Sequence, residues 1–335
     1  MSVQVAAGPF GLAVTDPALD QQISAGLAAV EKLLNASTQS VHPFISTTAS
    51  HLMAAGGKRV RPLLTLMAAQ FGDPDAPGVV PAAAVVELTH QATLYHDDVM
   101  DEASMRRSVP SANARWDNSI AILTGDFLFA KASQILADLG PEAVRLQAVT
   151  FERLVAGQIN ECVGPSEGEP AIDHYLRVLA DKTGSLIATS ARFGALLSGA
   201  PESVVERLTG FGEIFGMAFQ LSDDVLDIAS DSEQSGKTPG TDLREGVPTL
   251  PTLYALASTD PESARLRELL SGPIAEDALV HEVIAALRVH PALDQARATV
   301  VGYADQAREL LVPLPELPAK TALLALCDLV TSRTV

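Results

Sequence analysis

Residues 81–103 read PAAAVVELTHQATLYHDDVMDEA, and the fold turns on how this stretch is read. From Ala82 to Leu94 the side chains are mostly small or aliphatic, and no proline or glycine interrupts them. A helix that is apolar around most of its circumference is a core helix. This one runs into Asp97, Asp98 and Asp101, three carboxylates at i, i+1 and i+4, which do not belong in an apolar helix unless something positive meets them. Residues 219–227, FQLSDDVLD, repeat the triplet as Asp223, Asp224 and Asp227 in similar surroundings. The first aspartates lie 126 residues apart. The echo is too short for a repeat architecture, but it suggests two helices presenting acidic faces to one cavity.

The rest of the chain follows the same pattern. Hydrophobic residues make up 47% and aromatic ones only 4%, a composition led by Ala and Leu that favours helix. Breakers such as GDPDAPG at 72–78, GPSEGEP at 164–170 and GAP at 199–201 punctuate the pattern. They delimit predicted helices at about 17–35, 39–54, 58–71, 79–102, 116–138, 141–161 and 171–198. Further helices are predicted at about 202–231, 248–257, 261–271, 277–288, 292–311 and 318–333. There is no hairpin signal and no alternating strand pattern. The expected fold is all-α: a loose tail over 1–16, then a single domain over 17–335, a bundle of long helices around a central cavity.

Charge narrows the function. Against 41 acidic residues stand 23 basic ones, a net charge of −18, which argues against nucleic acid or an anionic membrane as the main partner. Cys162 and Cys327 form no metal or redox pattern and read as core residues of a cytosolic protein. The N-terminus lacks the features of a signal peptide, and no run of about 18 uninterrupted apolar residues occurs. No membrane insertion and a cytoplasmic location are expected.

On a helix, Asp97 and Asp101 project from one face, as do Asp223 and Asp227; Asp98 and Asp224 lie about 100° round, at the edge of the same site. Carboxylates at this spacing suit Mg²⁺, which keeps waters that a phosphate can replace. One such triplet reads as a solvated face. Two, flanked by Leu, Val, Phe and His in place of Lys and Glu, argue for metal. His96-Asp97 also resembles the HD dyad of metal phosphohydrolases, with His51 and His90 as further ligands, but that reading leaves the second triplet without a role. Basic residues cluster as Lys58, Arg59 and Arg61 in GGKRVRP, as Arg106-Arg107, as Lys182-Thr183 in DKTGS, and as Lys237 in SGKTPGTDLREG. Each cluster alone is weak. Metal on one side and cations on the other together describe a site for diphosphates.

In order, GGKRVRP, HQATLYHDDVMDEASMRRSVPS, DKTGS, FQLSDDVLDI and SGKTPGTDLREGVPTLP resemble the signature of the trans-isoprenyl diphosphate synthases. AILTGDFLFAKA at 121–132 extends the likeness, and ATLYHDDVMDEA is similar to bacterial long-chain polyprenyl diphosphate synthases. The resemblance implies an isoprenoid-synthase fold, a homodimer and three Mg²⁺ per site. Two ions would sit on Asp97 and Asp101 with support from Asp98, and the third on Asp223 assisted by Asp224 and Asp227. Arg106, Lys182 and Lys237 would contact the allylic diphosphate. Lys58, Arg61, His90 and Arg107 would hold isopentenyl diphosphate, and Thr183 and Gln220 would face the breaking bond. Ser108 stands where the family usually has glycine after the two arginines. Ala92 and Thr93, one turn before Asp97, are small where short-chain members carry a bulky aromatic, which implies a hexaprenyl to decaprenyl product suited to a quinone side chain. Tyr95 is a partial block or core. Terpene cyclases share the first triplet but have no need of a second diphosphate site, and the family's silent subunits lack aspartates that are all present here.

Overall fold

Asp16 opens the first helix among the described residues: its Oδ1 accepts the Leu19 amide at 2.8 Å, and Pro17 takes the first helical position. The structure is a computed structural model that describes residues 16–229 and 239–334. Of the expected tail only Asp16 is described, and there it is a helix cap. The helices run α1 (Pro17–Ser37), α2 (Pro43–Ala54), α3 (Val60–Ala69), α4 (Val79–Met100), α5 (Ala112–Arg115), α6 (Asn118–Leu139), α7 (Pro141–Val163) and α8 (Ala171–Leu179). A π-helical turn, Ala180–Gly184, joins α8 to α9 (Ser185–Leu197), and α10 follows (Glu202–Ala229). The chain continues through α11 (Thr241–Glu245), α12 (Leu250–Ala257), α13 (Ala264–Leu269), α14 (Asp277–Val289), α15 (Pro291–Leu311) and α16 (Pro318–Ser332).

Two compact units emerge, each discontinuous in sequence. The first comprises Met1–Phe151, Leu186–Gly212 and Pro313–Leu323. At its centre is α4, on which α1, α3 and α6 pack. Ala82 to Val86, Leu88, Ala92 and Tyr95 are fully buried, as a helix apolar on most faces requires. Helix α9 comes close to α3: the Thr65 hydroxyl donates to Ser190 O at 2.9 Å, and a Cβ on Gly194 would lie 2.0 Å from Thr65 O. Gly194→Ala should therefore force the two helices apart, destabilising the protein by about 2–3 kcal/mol and lowering the midpoint in a thermal melt. An unchanged midpoint would show that the contact yields.

The second unit comprises Glu152–Ser185, Glu213–Val312 and Leu324–Val335. Its core includes Phe215, Leu221, Val225, Ile228, Val280, Val283, Leu287 and Val300, with α12 packed on α15.

The sequence reading departs from the structure in several places: α5 lies where no helix was expected, and Cys162, read as a core residue, is exposed. The expected helix over 171–198 is interrupted by the π turn. A two-stranded hairpin, β1 (Met105–Arg106) against β2 (Val109–Pro110), appears where no hairpin signal was read. The glycine-rich stretch at 235–246 contains the short helix α11.

Candidate active site

The first acidic cluster closes α4. Asp97 is in the last turn and Asp101 caps it, with the Asp101 amide 2.8 Å from Asp97 O. Asp97 is half-buried and Asp101 exposed, whereas Asp98 is fully buried. Asp98 Oδ1 accepts Arg106 Nε at 2.6 Å, and its buried Oδ2 has no hydrogen-bond partner. Burial pushes the Asp98 carboxyl up and Arg106 partly offsets this. The middle aspartate thus holds an arginine, while its neighbours face outward.

Arg107 and Ser108, with φ of +52° and +63°, form the two central positions of the β1–β2 turn. Left-handed backbone at both positions is the type I′ arrangement that matches strand twist. Serine at the second position costs roughly 1 kcal/mol relative to glycine, a local strain that leaves the turn intact. The turn sends two neighbouring guanidiniums apart. Arg106 reaches Asp98, and Arg107 Nη1 donates to Leu52 O at 3.0 Å, Gln91 Oε1 at 3.2 Å and Gly56 O. Gly57 (φ +152°) permits this approach, because a Cβ there would lie 3.1 Å from the Arg107 guanidinium carbon.

The remaining residues of GGKRVRP separate by partner. Arg59 binds Glu87 at 2.9 Å as well as Glu31, and so anchors the loop structurally. Lys58 is exposed at the rim. Arg61 lies deep with Nε unpartnered; burial lowers its pKa to about 10, with Glu87 opposing and Arg107 adding to the shift. His90 is held neutral, its pKa driven well below the ordinary value by burial and then by Arg61, Arg107, Arg106 and Arg59. Glu87, almost fully buried, is the internal counter-charge and also accepts Gln91 Nε2 at 2.7 Å. Sequence reasoning passed over it, although a glutamate inside VVELTH is itself a signal. Arg61 and Arg107, half-buried beside the neutral His90, gather positive charge that an anion would relieve.

The second cluster lies in the last two turns of α10. Asp224 is buried and occupied: Gln220 Nε2 donates to its Oδ1 at 3.0 Å, and the Tyr175 hydroxyl donates to Oδ2. Burial pushes the Asp224 carboxyl up to about 6, with those two hydrogen bonds acting in the opposite direction. Asp223 is half-buried and meets Arg333 Nη2 at 3.0 Å. Arg333 is fixed in turn by Ser222 Oγ, Phe219 O and the face of the Phe219 ring. Asp227 accepts the Thr241 and Asp242 amides at 3.2 and 3.3 Å, capping α11. Lys182 and Thr183 occupy the π turn, where Lys182 Nζ pairs with Glu161. Lys237 lies outside the described residues.

Both triplets stand at helix C-termini, where the backbone dipole is negative, and neither last turn carries a basic residue. Among the described residues no three His, Cys, Asp or Glu side chains converge on one point. Hard oxygen donors, few per ion and placed where a cation is favoured, fit Mg²⁺, which takes one or two carboxylates and completes its shell with water and phosphate. The HD alternative fails on geometry. His96 Nε2 meets Ile122 O at 3.0 Å, His51 Nε2 meets Pro110 O at 2.7 Å, and His90 is enclosed by arginines.

The sequence profile of the polyprenyl synthetase family matches residues 42–287. The chain belongs to that family. It is 50% identical over 324 residues to the nonaprenyl diphosphate synthase of Mycobacterium tuberculosis, covering 96% of this chain and 97% of that protein. It is 40% identical to heptaprenyl diphosphate synthase component 2 of Geobacillus stearothermophilus, covering 88% and 91%. A crystal structure of geranylgeranyl pyrophosphate synthase from Corynebacterium glutamicum, complexed with calcium and isoprenyl diphosphate, superposes with a TM-score of 0.86 at 44% identity, covering 95% and 98%. The names of these polyprenyl synthetase relatives span short and long products, so family membership alone does not set the chain length.

A cavity of about 410 Å³ adjoins the first cluster. It is lined from α4 by Thr89 and His96 and elsewhere by residues including Phe129, Leu136, Ala148 and Phe151. Thr89 lies eight residues before Asp97, about 12 Å along the helix axis. Neither Ala92 nor Thr93 is in this lining. Ala92 is fully buried, with its carbonyl beside Gly125 of α6, and the Thr93 hydroxyl bonds His90 O. Tyr95 is core: its hydroxyl donates to Thr48 O at 2.5 Å. The spacing points to α4, and on that helix the packing against α6 leaves Thr89 and His96 open to this cavity.

Proposed function

We propose that the protein is a trans-polyprenyl diphosphate synthase. It would condense isopentenyl diphosphate with an allylic primer, farnesyl or geranylgeranyl diphosphate, and repeat the step to a hexaprenyl to decaprenyl product for a quinone side chain. The observation that carries this reading is that one chain holds two carboxylate triplets at helix ends and, apart from them, half-buried Arg61 and Arg107 around a neutral His90. Ionisation of one diphosphate while holding a second requires both.

In this reading Asp97, Asp101, Asp223 and Asp227 hold three Mg²⁺, with Asp98 and Asp224 orienting Arg106 and Gln220. Bound there, the ions neutralise the diphosphate leaving group. Arg106, Lys182 and Lys237 bind the same allylic diphosphate. The Thr183 hydroxyl and the Gln220 amide supply weak dipoles near the breaking bond without quenching the allylic cation. Lys58, Arg61 and Arg107 anchor isopentenyl diphosphate, and neutral His90 donates a hydrogen bond to it. The proton lost after condensation passes to the released diphosphate. The deciding assay supplies Mg²⁺, labelled isopentenyl diphosphate and farnesyl diphosphate to the purified protein. Chain elongation supports the synthase; hydrocarbon or free phosphate alone overturns it.

A homodimer belongs to the same reading and is supported by α6. This helix is long and apolar enough to cross a membrane, yet only 33% of its most apolar window is buried. Ile122 and Leu123 are exposed on it, and Val144 and Val149 on the adjoining start of α7. A second copy covering this face accounts for the apolar exposure. Leu123→Glu should convert the dimer to monomer in sedimentation velocity. A wild-type protein already monomeric at micromolar concentration would exclude the dimer.

A further inference from the structure

Lys182 and Thr183 sit in a π turn, and α7 holds that turn at three points spaced one helical turn apart. The Ser185 amide reaches back five residues to Ala180 O, the widened ring of π geometry. Ser185 Oγ takes up Asp181 O at 2.5 Å. From α7, Arg153 Nε donates to Asp181 Oδ1 at 2.9 Å. Four residues on, Gly157 lies against the turn so closely that a Cβ would be 2.7 Å from the Lys182 amide nitrogen. Four residues further, Glu161 pairs with Lys182 Nζ. Residues 153, 157 and 161 share one helix face, so a single stripe of α7 meets the side chain before Lys182, its backbone and its ammonium. Arg153 Nη2 also donates to Glu213 Oε1 at 2.7 Å, tying the stripe to α10.

The magnitudes decide what this stripe is for. Arg153, Asp181 and Glu213 are 36%, 24% and 37% exposed, and ion pairs that open to solvent contribute little to stability. Their geometry is nevertheless specific, because the arginine spans two carboxylates from two elements. We propose that Arg153 is a positioning residue for the reaction, acting through Asp181 to fix the Lys182–Thr183 turn, with Gly157 giving the clearance the turn needs. This rests on the reading of Lys182 and Thr183 given above. A helix that has lost its regular hydrogen bonding can relax by shifting register, and Arg153 prevents that relaxation without touching substrate.

The test compares Arg153→Met, Arg153→Lys, Asp181→Ala and the Arg153→Met/Asp181→Ala double variant with Lys182→Ala in the elongation assay, beside thermal melts. Arg153→Met and Asp181→Ala should each lower kcat by about 100-fold, the loss that accompanies a misplacement of about 1 Å at a reacting centre. The KM for isopentenyl diphosphate and the melting midpoint should remain near wild type. Arg153→Lys should recover part of kcat, and the double variant should be no worse than either single one, since both break the same link. If Lys182→Ala loses turnover while Asp181→Ala and Arg153→Met retain it, the positioning role is wrong and the assignment of Lys182 stands. If Lys182→Ala itself turns over normally, the assignment of Lys182 is wrong. Should Arg153→Met fail to fold, Asp181→Ala alone decides, because it removes the link while leaving Arg153 its pairing with Glu213.

Discussion

Asp97→Ala and Asp223→Ala should each reduce turnover at saturating Mg²⁺ by about 10²- to 10³-fold, with folding intact. Both side chains are half-buried near helix C-termini, Asp97 in the last turn of α4 and Asp223 in the last two turns of α10 beside Arg333. Their value is electrostatic. Departure of a diphosphate concentrates negative charge, and losing one preorganised counter-charge from such a step costs about 3–4 kcal/mol of barrier, at 1.36 kcal/mol per decade of rate. The middle aspartates give the contrast. Asp224 is taken up by Tyr175 and Gln220 and Asp98 by Arg106, so Asp224→Asn should cost measurably less than Asp223→Ala. Near-normal turnover in Asp97→Ala or Asp223→Ala would remove the metal reading of that cluster. Losses equal for all four would place the middle aspartates on the metal as well.

Ala148→Phe should shorten the product by several isoprene units, as read by chromatography of the dephosphorylated prenols. Ala148 lines the cavity beside the first cluster and is exposed, so a benzyl group there takes space from the cavity and not from the core. The contrast with Ala92 is physical. Ala92 is fully buried, and a phenylalanine there would overpack the helix contact by about 1–3 kcal/mol, confusing loss of fold with loss of chain length. An unchanged product spectrum in Ala148→Phe would mean that the growing chain runs elsewhere.

How legible the molecule was in its sequence varies with the physics of each feature. The long helices followed from Ala- and Leu-rich runs between prolines and glycines, because local propensity and burial agree there. The π turn was invisible, since DKTGS has ordinary helical neighbours and the inserted residue is held by Arg153 and Gly157, remote in sequence. The β1–β2 hairpin was missed because Arg107 and Ser108 adopt left-handed backbone without the Asn or Gly that usually marks such a turn. At the site, the aspartates and arginines stood out as charges in an apolar context. Their division of labour did not: that Asp98 faces Arg106, that Arg59 serves Glu31 and Glu87, and that Arg333 reaches Asp223 are facts of packing that spacing does not encode.

The position of the two triplets at helix C-termini sets stability and activity against each other. Each carboxylate there opposes the helix dipole and its acidic neighbours, an effect of about 0.3–1 kcal/mol per charge at partly exposed positions. A selection for robustness alone would place lysine, arginine or asparagine at the exposed Asp101 and end that helix comfortably. The protein instead carries six carboxylates through the two helix ends, the pattern expected where thermal tolerance is traded for chemistry. Engineering for heat resistance has room elsewhere in the chain, but not at these two helix ends.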